Sequence, residues 1–335
     1  MAAFLAATGL RAQIFAWNLE NFFDTRDDPA TADEAFTPGG EYCWTRRKFV
    51  AKRNLIAKTI IASGERFGGN IPALVGLCEV ENGFVLKSLL EETPLAKFRY
   101  RSVHRDSPDP RGIDVALLYY PARVKVLACE WITIREFATR EILYAKVALV
   151  GGSRSRVLAG DSAAAPPLLP PVDTLHIYVN HWPSKYGGAK ASEHKRRAVR
   201  DALLAHLDSV QRAEPAAAIV LMGDFNDTPD AGVIMDLCSA AHLVNISPKE
   251  GGTIKYKGQW EMIDQMLVSP AAAGIIGPAE VFRPGFLLEE DKAFLGCKPR
   301  RTNIGPRYNG GASDHLPLLV RVFSCPLCGN TSKIF

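Results

Sequence analysis

Asn18, Glu79, His181, Asp224, Asn226, Asp264, Asp314 and His315 are the side chains of this sequence whose types could do chemistry together. Most stand where an apolar run stops. Gln13-Ile-Phe-Ala-Trp17 precedes Asn18, Ala73-Leu-Val-Gly-Leu77 leads to Glu79, and Leu175-His-Ile-Tyr-Val179 leads to His181. Ala218-Ile-Val-Leu-Met222 runs into Gly223-Asp224-Phe225-Asn226, and Asp314-His315 follows Gly310 and Gly311. Polar groups repeated at strand ends are what a rigidly mounted active site requires. Carboxylates and amides dominate the set, and such oxygen donors suit a hard cation, Mg²⁺ or Mn²⁺. The two histidines can donate to phosphoryl oxygens or shuttle protons. A polarising metal, a carboxylate that orients or deprotonates water and donors for growing negative charge are the parts of phosphate-ester hydrolysis. Singly, each residue has a plainer reading. Asn18 or Asp264 could be a turn or cap residue, Gly223-Asp224 a simple turn, and His181 a core histidine beside Trp182. Their number favours the shared chemistry.

The elements that must hold these residues are legible as runs. Strands are expected at 13–17, 73–77, 115–120, 143–150, 175–179, 218–222, 263–268 and 316–323. Helices are expected from a Thr45 cap through Ile61, from Phe84 to Leu90 and from Ser192 to Val210. The last carries Val199, Leu203, Leu207 and Val210 on one stripe and Lys195, Arg196 and Arg200 on a face expected to be solvated. Several strands follow one another through loops, so the pattern is not a clean βαβ alternation. It predicts a mixed, largely antiparallel architecture with helices outside.

Composition bounds the rest. A chain of 335 residues, 47% hydrophobic and 23% charged, can bury a sizeable core and is neither disordered nor collagen-like. No apolar run reaches the ~18 residues of a membrane span, so no stable membrane insertion is expected. The net charge of +4 places any anion recognition locally rather than over the whole surface. Of seven cysteines, Cys43, Cys78, Cys129, Cys238 and Cys297 are scattered and read as mostly reduced, buried thiols. Cys325 and Cys328 form a lone C-x-x-C without the second pair that a structural zinc site needs. Residues 1–12 read as a frayed or leader-like start, 13–323 as one catalytic domain with an insertion loop at 151–173, and 324–335 as a tail. The expected compartment is cytoplasmic, with secretion the alternative if the start is the remnant of a signal peptide. Nothing here specifies a protein partner. There is no G-x-x-x-x-G-K-[ST], G-x-S-x-G, H-E-x-x-H or G-x-G-x-x-G.

Trp17-Asn18, Cys78-Glu79-Val80-Glu81-Asn82, Asn180-His181-Trp182-Pro183-Ser184, Gly223-Asp224-Phe225-Asn226, Ile263-Asp264-Gln265 and Ser313-Asp314-His315-Leu316-Pro317 occur in that order. The series resembles the endonuclease/exonuclease/phosphatase superfamily over about residues 13 to 323. The resemblance implies an α/β fold of the α+β type, a four-layer sandwich of two mixed, largely antiparallel β-sheets flanked by helices, with the site where loops of both sheets meet. It implies Glu79 as the principal metal ligand, Asn18 as its neighbour on the metal or a metal-bound water, and Asp314 as a second metal-side ligand. It implies Asp224 as the group that activates water, Asn226 as a phosphate-orienting amide, and Asp264 with His315 as a carboxylate–imidazole pair. Either Asp224 or His315 is then the base. His181 resembles the second histidine of the deoxyribonuclease and sphingomyelinase branches, with Asp114 as its orienting partner.

Within this fold the expected activity is that of a metal-dependent phosphodiesterase, with nucleic acid as substrate. A sphingomyelinase-like lipid enzyme and a phosphatase of small phosphoesters are the rivals, and a catalytically inactive binding protein is the alternative of another class. A polynucleotide needs cations along the cleft, and Arg46, Arg47, Lys48, Lys185, Arg300, Arg301 and Arg307 are available. Arg111, Asn180, Lys185 and Trp260 are expected to contact substrate, and Tyr256, Trp260 and Tyr308 could stack on bases. Pro167 to Pro171 is the candidate for membrane contact in the lipid reading.

Overall fold

The structure is a computed structural model that describes residues 10–150, 173–185 and 187–323. The expected runs form strands, some longer than the run (10–22, 173–181) and some shorter (264–268, 318–323). The first sheet contains β1 (Leu10–Phe22), β2 (Leu74–Val80), β3 (Arg101–His104) and β4 (Asp114–Tyr119). The second begins with β5 (Val124–Ile132), β6 (Ile142–Leu149), β7 (Asp173–His181), β8 (Ala218–Asp224) and β9 (Val244–Asn245). A small hairpin of β10 (Ile254–Tyr256) and β11 (Gln259–Glu261) stands apart, and β12 (Asp264–Val268) completes the second sheet. β13 (Glu280–Val281) and β18 (Leu318–Phe323) complete the first. Between them lie two more hairpins, β14 (Leu288–Glu290) with β15 (Cys297–Pro299) and β16 (Asn303–Ile304) with β17 (Arg307–Tyr308).

The spatial orders are β13-β18-β1-β2-β4-β3 and β5-β6-β7-β8-β12-β9. Each sheet is antiparallel except for one parallel pair near its centre, β1 with β2 and β7 with β8. Alternate side chains of a strand face opposite ways, and every central strand here buries both sets. One set fills the space between the sheets, with Ile14, Leu74, Leu117, Val147, Ile177, Val220 and Met266 in a common core. The outer set of the first sheet packs on α1 (Arg46–Ser63) and α2 (Gly83–Glu91), through Phe15, Leu77, Ile56, Ile60 and Leu86. The outer set of the second sheet packs on α3 (Ala189–Ala213) and α4 (Gly232–Ala240), through Tyr178, Leu221, Val199, Leu203 and Ile234. A short α5 (Pro270–Ala273) follows β12. The fold is thus the expected α/β sandwich, and none of its described helices is long and apolar enough to cross a membrane.

Several expectations need correction. Leu10 and Ala12 are not frayed; they pair with Phe323 and Val322. Thr45 precedes α1 but makes no side-chain cap bond, whereas Asn82 caps α2 by accepting from Phe84 and Val85 N–H. Cys43, Cys129 and Cys297 are exposed thiols, and only Cys78 of the five described cysteines is buried. Arg196 is not on a solvated face. It is buried and donates from Nε to Asp227 Oδ2 at 3.0 Å, tying α3 to the loop after β8. The insertion expected at 151–173 ends earlier, since Asp173 opens β7; residues 151–172, with the Pro167–Pro171 stretch, and the Cys325/Cys328 pair lie outside the described residues.

Candidate active site

The site forms where β1 and β2 of one sheet end beside β7, β8 and β12 of the other. Backbone irregularity aims the side chains there. β1 and β2 lose register between Asn18 and Phe22, and Glu20 (φ 49°), Asn21 (φ 59°) and Glu79 (φ 60°) take the left-handed conformation. Bulges of this kind turn a side chain away from its pleat. Here they carry Glu79 toward the seam, where its Oε2 accepts from Asn21 N–H at 2.7 Å. On the opposite sheet Asp264 stands directly across from Asp224 in the β8–β12 ladder, and His181 ends β7 beside Asp224. The long loop before β18 returns His315, fixed by the Trp17 indole donating to His315 O at 2.8 Å and by Ser313 Oγ donating to Asn18 O at 2.6 Å.

Asn18 brackets two carboxylates. Its Nδ2 donates to Glu79 Oε1 at 3.2 Å and to Asp224 Oδ2 at 3.0 Å. Its Oδ1 accepts from Glu20 N–H at 2.9 Å. His181 Nε2 lies 3.7 Å from both of those carboxylate oxygens. Asn226 (φ 50°) donates from Nδ2 to Asp224 Oδ2 at 3.1 Å and to Trp182 O at 2.9 Å. His315 Nδ1 meets Asp264 Oδ2 at 2.7 Å, and its Nε2 is 3.8 Å from Asp314 Oδ1.

Electrostatics separates these groups. Burial, then the charge of Asp264, pushes the Asp224 carboxyl up to about 7, against the pull of His315 and the Asn226 and Asn18 hydrogen bonds. Burial opposes protonation of His315, but Asp264 overrides it through charge and hydrogen bond, helped by Asp224 and Asp314. The imidazolium is held well above the usual range. His181 goes the other way. Burial, then the charges of Arg140, Arg111 and His315, hold it well below the usual range, as a neutral ring.

The donor set fits a divalent cation. The carboxylates of Asp224 and Asp264 lie within 4.8 Å of each other beside the His315 ring, and Glu79 adds a third through Asn18. Asp264 Oδ1 and His181 Nδ1 are buried without a partner among the described residues. Such orphaned atoms and crowded carboxylates are what a hard cation would relieve.

Other expected residues have partners of their own. Asp114 is not the partner of His181; its Oδ2 meets His104 Nε2 at 3.0 Å and its Oδ1 accepts from Ser107 N–H at 2.9 Å. Asn180 is fully buried, and its Oδ1 accepts from the Trp182 indole at 3.1 Å, so it holds the strand end rather than substrate. Lys185 is paired with Asp227 Oδ1 at 2.8 Å. Trp260 is half-buried, with the Arg283 guanidinium 4.2 Å from its ring centroid, and lacks a fully open stacking face. Asp314 is held by Arg301 Nη2 at 3.0 Å. Arg111 is exposed and its charge reaches His181.

The sequence reading missed the supports. Buried Arg140 donates from Nε to His181 O at 2.7 Å and from Nη1 to Asp109 Oδ2 at 3.1 Å, and also reaches Trp182 O. Buried Lys52 donates to Glu20 O and, at 2.6 Å, to Thr302 Oγ1. The one available signal was a charge inside an otherwise apolar segment, as at Glu20; Lys52, among the basic residues of α1, carried none.

The sequence pattern of the endonuclease/exonuclease/phosphatase family matches residues 13–159 and 171–323. No curated protein matches the chain in sequence. The human Nocturnin catalytic domain with bound sulfate is similar with a TM-score of 0.53 and 16% identity, over 93% of this chain and 94% of that one. The Bacteroides thetaiotaomicron mannosyl-6-phosphatase gives 0.55 and 14%, over 92% and 98%. D. rerio TDP2 complexed with a single-strand DNA product gives 0.51 and 15%, over 93% and 98%. At such identities the likeness is one of fold, whereas the family pattern spans both sheets and every strand-end motif. The chain belongs to the endonuclease/exonuclease/phosphatase family.

Proposed function

We propose that this protein is a divalent-metal-dependent phosphodiesterase that hydrolyses nucleic acid by in-line attack of water. The observation that carries the hydrolytic reading is the convergence of carboxylates and imidazoles at one seam: Asn18 Nδ2 joins Glu79 to Asp224, His181 Nε2 lies 3.7 Å from both, and Asp264 Oδ2 meets His315 Nδ1 at 2.7 Å. Asp224 then takes the proton from water, and is preferred to His315 as the base because His315 already carries its proton. His315, fixed through Nδ1 by Asp264, donates from Nε2 to a phosphoryl oxygen as charge grows. Neutral His181 contributes Nε2 beside the same carboxylates, and Asn226 orients the phosphate. Glu79, fixed by Asn21 N–H, would hold Mg²⁺ or Mn²⁺ with the neighbouring carboxylates. The ion supplies Lewis-acid polarisation of a phosphoryl oxygen.

A basic flank supports a polynucleotide substrate: Arg111, on Asp109, and Arg301, on Glu20 and Asp314, stand at the site, and among the described residues Arg47, Lys48 and Arg300 beyond them have no carboxylate partner. The likeness to a TDP2 complexed with DNA agrees with that reading. The likeness to a mannosyl-6-phosphatase supports the rival, a small phosphoester. The test offers the purified protein, with Mn²⁺ or Mg²⁺, supercoiled DNA, single-stranded RNA, sphingomyelin and a sugar phosphate in parallel. Metal-dependent cleavage of DNA or RNA is the expected result. Efficient release of phosphate from the sugar, with both nucleic acids intact, overturns it.

A further inference from the structure

Many surface cations of this molecule are neutralised by a carboxylate, as Arg53 is by Glu92, Arg197 by Glu193 and Arg212 by Asp208. On the flank beyond Asp314 the balance changes. Nearest the site, Arg301 is matched twice, with Nε on Glu20 Oε1 at 2.9 Å and Nη2 on Asp314 Oδ2 at 3.0 Å. Next outward, Arg300 and Arg47 both bring their charge to the Tyr308 hydroxyl, and Lys48 Nζ lies 5.2 Å from the centre of the Tyr308 ring. Arg300 is fixed by Nε–H donation to Asn309 O at 3.1 Å, and Lys48 by donation to Tyr42 O at 2.7 Å. Arg47 and Arg300 are exposed, Tyr308 and Lys48 half-buried. Among the described residues none of these three cations has a carboxylate partner. Like charges gathered on one ring repel, and backbone carbonyls rather than carboxylates hold two of them. An anion entering between them removes that cost.

We infer that Arg47, Lys48 and Arg300, gathered round Tyr308, form an accessory phosphate subsite for a phosphodiester of single-stranded nucleic acid next to the scissile one. The inference rests on the nucleic-acid reading above and deepens it. Arg301 is already matched by Glu20 and Asp314, so the unmatched outer cations supply the affinity. A substrate with one phosphate cannot use the subsite, whereas a polymer fills it and the catalytic centre together.

The test compares the wild type with Arg47→Ala/Arg300→Ala, in the presence of Mn²⁺. Binding of a labelled, cleavage-resistant phosphorothioate 12-mer of single-stranded DNA is followed by anisotropy across a salt series. Hydrolysis of bis(p-nitrophenyl) phosphate is the one-phosphate control. The double variant should weaken 12-mer binding roughly tenfold or more, and at least tenfold more than it lowers kcat/KM for the small diester. The log–log salt slope should become shallower by about 0.7 for each phosphate that is no longer neutralised. Arg47→Lys/Arg300→Lys should recover most of the affinity. An unchanged slope, or an equal loss on both probes, overturns the subsite. If unmodified DNA or RNA is cut while the slope does not move, the subsite fails and the nuclease reading stands. If neither DNA nor RNA is cut by the wild type, the nuclease reading fails and takes the subsite with it, whatever the slope does.

Discussion

At the residue scale the catalytic reading reduces to how few atoms separate acids from bases. His315→Ala and His181→Ala should each lower kcat by at least ~10²-fold, the scale of a lost proton donor or acceptor. If either ring serves only as packing, its variant loses melting temperature and keeps specific activity, so both quantities are read on one preparation. Most of the eight motif residues were legible because they stand where an apolar run stops. Their partners were not, because partnership here crosses the chain: His315 meets Asp264 across 51 positions and Asn18 meets Asp224 across 206. The Asp114 expectation failed for that reason. Its nearest imidazole is that of His104, the facing strand's own residue, and not His181. A second residue prediction concerns Glu81. Burial, then the charges of Asp24, Asp33 and Asp28, push its carboxyl up to about 8, although Asp24 N–H donates to it. The folded chain therefore keeps a proton that the unfolded chain has released. The associated stability is fully present below about pH 4.5 and is lost as pH rises through about 8. Glu81→Gln should raise the melting temperature at pH 8 by about 2 °C or more while changing it less at pH 5. An equal change at both values refutes the assignment.

At the scale of elements, the turn after β8 controls where Asp224 and Asn226 point. Gly223 has φ 125°, and a Cβ there would lie 2.0 Å from Asn180 O on the neighbouring parallel strand. Neither the torsion nor the contact can be relieved by a rotamer change. Gly223→Ala should cost about 3 kcal/mol or more in urea unfolding, and lower activity beyond what the loss of folded protein explains. A variant within about 0.5 kcal/mol of the wild type would show that β7 and β8 can separate freely. The strands that were legible are those buried on both faces, which read as unbroken apolar runs. β5 was missed because it is an edge strand that exposes Leu127, Ala128, Cys129 and Glu130 in succession. No alternation of apolar and polar residues survives such exposure. α4 was missed because it is short and wholly placed by packing, with Val233, Ile234 and Leu237 under the second sheet. The bulges of β1 and β2 carry no residue signature, since Glu, Asn and Glu occupy the left-handed positions where glycine would announce them.

At the scale of the whole molecule, the site is a junction, so filling it should stiffen both sheets. An ion bound only by the folded chain stabilises it by mass action, by about 2.7 kcal/mol at a hundred times its dissociation constant. Saturating Mn²⁺ should therefore raise the melting temperature by several degrees, and Glu79→Gln should abolish that rise while leaving the metal-free melting temperature within about 2 °C. A full shift in the variant would remove Glu79 from the ion's ligands. The α/β class and its outer helices were legible from run lengths, but the division of strands between two sheets was not, because composition does not change between them. One further consequence follows from the pairing of β18 with β1, which joins Leu10 to Phe323 and sets His315 against Trp17. Of the residues that form the site, synthesis delivers Asn18 first and His315 last. A growing chain holds Asn18, Glu79, His181, Asp224 and Asp264 while it still lacks the His315 that completes them. The first strand of its first sheet also lacks the neighbour that will cover one edge. On the proposed mechanism, a product that stops short of His315 lacks its proton donor and is open at that edge as well.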